Sequence, residues 1–174
     1  MSRIDIVKTE VFKFNELSDN GKENAIEGLC DINVDYEWWE SVYEDAEQIG
    51  IKITGFDIGR SAYCSGELQL SAHEVAANII LEHGEHCETN KTAQAFLDGV
   101  NSIEVTEGEE VADTDDDEEY EGKMMELEDG FTKSVLEDYR IMLRKSYNYF
   151  TSEEAIVETI EANDYEFTAD GSMY

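Results

Sequence analysis

Forty-three aspartates and glutamates stand against twelve lysines and arginines, a formal charge of −31 at pH 7. No other feature constrains the fold of this chain as strongly, because like charge at that density repels itself and costs stability. Only a chain with numerous, well-patterned apolar residues can carry it on a folded body. Here 41% of the 174 residues are apolar and 10% aromatic, which is ample for a core and excludes a fully disordered chain. The same charge argues against direct contact with DNA, RNA or an anionic membrane, each of which asks for a basic footprint.

Several absences narrow the class further. No apolar run approaches the roughly 18–20 residues of a membrane span. Residues Met1 to Lys8 hold no apolar stretch of signal-peptide length, so a cytoplasmic protein is expected. Cys30, Cys64 and Cys87 are odd in number and widely spaced, so no disulfide framework is implied. Cys30 and Cys64 each sit in an apolar pattern and read as small buried hydrophobes. There is no proline, so helices can run without interruption.

Periodicity then assigns the elements. Residues 9–14, 51–58, 62–70 and 164–168 alternate as strands, with 51–58 and 62–70 joined as a hairpin through Gly59-Arg60-Ser61. Ser18 and its neighbours offer N-caps to a helix carrying Ala25, Ile26, Leu29 and Cys30. A helix over 36–49 ends before Gly50, a candidate C-cap. Ser71-x-x-Glu74 and Thr151-x-x-Glu154 are capping boxes opening helices at 72 and after 151. Further helices cover 90–103 and 121–148. The expected fold is α+β: a small, mainly antiparallel sheet of three to four strands packed against several helices, with one long helix in the C-terminal half. Residues 1–174 read as a single domain. The acidic low-complexity stretch 104–121 reads as a mobile loop within it, and as the best candidate for any internal boundary.

The distribution of charge says more than its total. Residues 104–129 hold 14 acids and one base, Lys123, yet −18 of the −31 lies elsewhere. Two readings fit: a solvated surface that aids solubility, and a mimic of nucleic acid. Carboxylates three or four residues apart on a helix have Cβ atoms about 5–6 Å apart, a row of charge comparable to a phosphate backbone. The candidate partner-binding residues are Glu37, Glu40, Glu44 and Asp45 on the helix over 36–49. They continue with Glu109, Glu110, Asp113, Asp115, Asp116, Asp117, Glu118 and Glu119 in the acidic stretch, then Glu121, Glu126 and Asp129 on the long helix. Trp38 or Trp39, adjacent on the first of these helices, is a candidate apolar anchor.

Chemical motifs are few. His83-Gly-Glu-His86-Cys87 gathers three metal-ligand types without a standard spacing, and reads as a polar helix terminus with Gly84 at the C-cap. Asp113-x-Asp115-x-Asp117 starts like a calcium loop but has Glu118 where glycine belongs and Met124 where the bidentate glutamate belongs. Phosphate-binding glycine loops and nucleophile elbows are missing. Cys64 paired with a distant histidine has no motif behind it. No catalytic residue, metal or cofactor is assigned.

Phe12-Lys13-Phe14-Asn15-Glu16-Leu17-Ser18, Trp39-Glu40-Ser41-Val42-Tyr43-Glu44-Asp45-Ala46, Phe56-Asp57-Ile58 and Ser152-Glu153-Glu154-Ala155-Ile156 together resemble a family of small acidic bacteriophage and prophage proteins of unassigned role, some labelled antitoxin-like. In charge and size alone the chain also resembles phage anti-defence proteins that imitate DNA. The resemblance implies a shared fold and a phage context and transfers no functional residue. The leading expectation is a non-enzymatic inhibitor in the cytoplasm of a bacterial host, binding a host protein with a basic nucleic-acid-binding surface. The alternative is an antitoxin-like protein that neutralises a basic toxin, and a third reading is a metal-dependent enzyme.

Overall fold

The computed structural model describes residues 8–108 and 116–174, with side chains described for all of these except 104–108 and 116–117. The fold is α+β, with β1 (Phe12–Lys13), α1 (Asp19–Gly28), α2 (Glu40–Gln48), β2 (Ile51–Asp57), β3 (Tyr63–Leu68), α3 (Ala72–Glu82), α4 (Glu88–Gly108), α5 (Asp116–Phe150), α6 (Glu153–Ala162) and β4 (Glu166–Phe167). The strands make two separate antiparallel pairs, β1 with β4 and β2 with β3. Chain contacts group into two compact units, residues 1–38 with 145–174 and residues 39–144. The division therefore falls at 38/39 and 144/145 rather than in the acidic stretch.

In the first unit, β1 is far shorter than the expected 9–14, because a single 3₁₀ turn begins at Phe14. Phe12 pairs with Phe167 and Lys13 with Glu166. The Lys13 ammonium reaches Asp164 at 2.9 Å and Glu166 at 3.2 Å. Phe14, Leu17, Ala25, Ile156, Ile160 and Phe167 form the core, with Phe14 and Phe167 edge to face at 6.3 Å. Ser18 caps α1 by accepting from the Gly21 amide. The cap of α6 is Ser152, whose hydroxyl accepts from the Ala155 amide. The expected capping residue, Thr151, instead donates to the Tyr147 carbonyl at the end of α5. Asn33 is buried, donating to the Phe150 carbonyl and accepting from the Thr159 hydroxyl.

In the second unit, Ile51 and Ile53 of β2 point inward and Lys52 and Thr54 outward, as the alternation requires. One extra residue sits in β2 between the Ile53–Gly66 and Gly55–Ser65 pairs, a bulge that shifts the alternation. Gly66 permits close approach: a Cβ there would stand 2.8 Å from the Lys52 carbonyl oxygen and 2.9 Å from Leu136. Gly50 follows α2 with φ +93, the left-handed conformation of a helix C-cap. Ser71 and Glu74 form the expected reciprocal box at the start of α3. Helices α4 and α5 run antiparallel: Thr92 meets Asp138, Phe96 stacks on Phe131 at 4.5 Å, and Gly99 faces Leu127. Phe131, Val135, Tyr139 and Leu143 are the buried stripe of α5, at the four-residue steps read from the sequence.

The acidic stretch is more helical than expected. α4 continues to Gly108 and α5 starts at Asp116, so both ends of the expected 104–121 loop are helix. Carboxylates at the first positions of a helix favour the positive end of its dipole, which suits a start at Asp116. Residues 109–115 lie outside the described residues, and with them the calcium-like Asp113-x-Asp115 start.

Candidate partner-binding surface

The second unit presents two acidic helix faces. On α2, Glu40 and Glu44 are one turn apart and both exposed, with Glu47 beside them. On α5, Glu118, Glu119, Glu121, Glu126, Glu128 and Asp129 are all exposed. At about 100° per residue, Glu118, Glu119, Glu126 and Asp129 fall within an arc of about 100°, away from Phe131 and Val135. Packing of the buried stripe against the unit thus turns these carboxylates to solvent. Lys123 lies among them and bonds Glu119 at 2.8 Å, which holds the Glu119 carboxyl below its ordinary range. Further along, α5 changes sign, with Lys133, Arg140 and Arg144 following Asp129. Arg140 bonds Glu137 and lowers that carboxyl as well.

Glu109, Glu110, Asp113 and Asp115 lie outside the described residues, and so do the side chains of Asp116 and Asp117. Glu37 is exposed but belongs to the first unit, in the non-helical chain before α2. The helix expected over 36–49 covers only 40–48, so the two tryptophans do not sit on it as helical neighbours. Trp38 is buried, edge to face with Tyr147 at 5.4 Å in the first unit. Trp39 stands at the N-cap position of α2 without a side-chain cap bond, half-buried, with its ring 5.7 Å from Phe56. Trp38 is thereby removed as an exposed anchor: its indole has already found an aromatic partner.

Asp45 also leaves the acidic face. Its Oδ2 accepts from the Tyr139 hydroxyl at 2.7 Å and faces His83 Nε2 at 3.4 Å. The other ring nitrogen of His83, Nδ1, lies 2.7 Å from the Thr89 hydroxyl, while the buried Nε2 makes no hydrogen bond among the described residues. His83 and Tyr139 hold the Asp45 carboxyl below its ordinary value against the opposing effect of burial. Burial, then Asp45, pushes the Tyr139 phenol upward. This buried polar cluster joins α2, the end of α3, α4 and α5. The spacing of His83, His86 and Cys87 gave no sign of it, because its members are far apart in the chain.

The His-Cys segment is not a simple polar terminus. His83, not Gly84, is the C-cap of α3, and its ring is buried, whereas His86 and Cys87 are exposed. Among the described residues, no group of three or more His, Cys, Asp or Glu side chains is placed to hold a metal ion. Cys30 is exposed rather than buried. Burial and then Glu137 push the Cys64 thiol up to about 11, so at neutral pH it is protonated, the wrong state for a nucleophile.

No family model matches the chain, and neither a curated protein nor a solved structure matches it. Among the described residues, no helix is long and apolar enough to cross a membrane.

Proposed function

We propose that this chain is a non-enzymatic, phage-encoded inhibitor. It binds stoichiometrically to a host defence or DNA-processing protein in the bacterial cytoplasm, presenting carboxylates where that protein receives phosphates. The observation that carries this reading is the exposed acidic face of α5 between Glu118 and Asp129. Glu118 with Glu121, and Glu126 with Asp129, are i, i+3 pairs whose Cβ atoms lie about 5–6 Å apart, a spacing suited to a groove built for a phosphate row. The −31 charge steers such an encounter and speeds it. Screening lengths shrink from about 10 Å at 0.1 M salt to about 3 Å at 1 M, so the complex is expected to be salt-labile. The phage context is supported by the motifs around Phe12–Ser18 and Trp39–Ala46.

The test is capture of partners from nuclease-treated bacterial lysate, elution along a salt gradient, and competition with duplex DNA. A partner that is released by raised salt and displaced by the duplex supports mimicry. The variant Glu118→Lys, Glu121→Lys, Glu126→Lys, Asp129→Lys should lose that partner while keeping its circular dichroism. Full retention of the partner by the variant would overturn the reading. A small basic toxin indifferent to DNA would replace it with the antitoxin reading.

A further inference from the structure

We draw no further inference here: the strongest candidate, the groove between α4 and α5 over Phe96 and Phe131, is lined by one acid, Glu126, and one base, Lys123, and nothing in the structure shows what covers it.

Discussion

Replacing Asp45 with alanine should destabilise the protein by about 2 kcal/mol, although Asp45 is one of 43 acids in a chain that repels itself. The magnitude follows from what the carboxylate touches. Tyr139 is fully buried, and its hydroxyl donates to Asp45 at 2.7 Å. Removing the acceptor strands that hydroxyl, at a cost of about 1–3 kcal/mol, and His83 Nε2 loses the charge it faces. Asp45 keeps about a third of its side-chain exposure, which keeps the figure in the middle of that range. Glu44→Ala removes the same charge from the exposed face of the same helix and should stay within about 0.5 kcal/mol. With a urea slope of about 2 kcal/mol per molar, the midpoint of Asp45→Ala should fall by about 1 M. In a Tyr139→Phe background the penalty should shrink to under about 1 kcal/mol, because no hydroxyl remains to be stranded. The sign with pH follows from the depressed folded value. Asp45 stabilises fully above its unfolded value of 3.8, and that stabilisation is lost as pH falls through the lower folded one. The gap between Asp45→Ala and wild type should therefore be full at pH 7 and narrow as pH falls below 3.8, the part due to the ionised carboxylate being lost. Equal midpoints for Asp45→Ala and Glu44→Ala, or an undiminished penalty in the Tyr139→Phe background, would refute the cluster.

Other substitutions probe the fold and the thiols. Gly66→Ala should cost about 1–3 kcal/mol in urea unfolding, since its Cβ would press on the Lys52 carbonyl, which the β2–β3 pairing holds in place. Ser152→Ala should cost about 1 kcal/mol by loss of the α6 cap, whereas a larger loss from Thr151→Ala would return the cap to Thr151. In alkylation at pH 7 followed by mass spectrometry, Cys30 and Cys87 should label in the folded protein before Cys64, whose labelling should rise with pH towards 11. Equal labelling of all three at neutral pH would contradict the protection of Cys64, which is half-buried rather than fully buried as its sequence pattern suggested.

Local chemistry made much of the fold legible. The hairpin of β2 and β3, the caps at Ser18 and Ser71, the left-handed Gly50 and the stripe from Phe131 to Leu143 all follow from rules that act within a turn or a strand. The same rules failed where the deciding atom is distant. Thr151 and Ser152 are adjacent hydroxyls, and the Tyr147 carbonyl occupies one of them. β1 and β4 come from opposite ends of the described chain, so periodicity could suggest two strands but not that they form a pair apart from β2 and β3. The helix expected over 36–49 starts only at Glu40, and Trp38 just before it packs against Tyr147, a contact across more than a hundred residues that local spacing does not carry.

The candidate surface divides in the same way. By itself the sequence determined the sign of the charge, its concentration in 104–129, and the helical spacing of the carboxylates, because each is a property of covalent order. Only the tertiary structure decided which carboxylates face water. Glu44 and Asp45 are neighbours on one helix, yet one is exposed and the other is bound by Tyr139, 94 residues away. Helical periodicity states which residues share a side. Which side the core covers depends on what packs against it, and that is settled by contacts between residues distant in the chain.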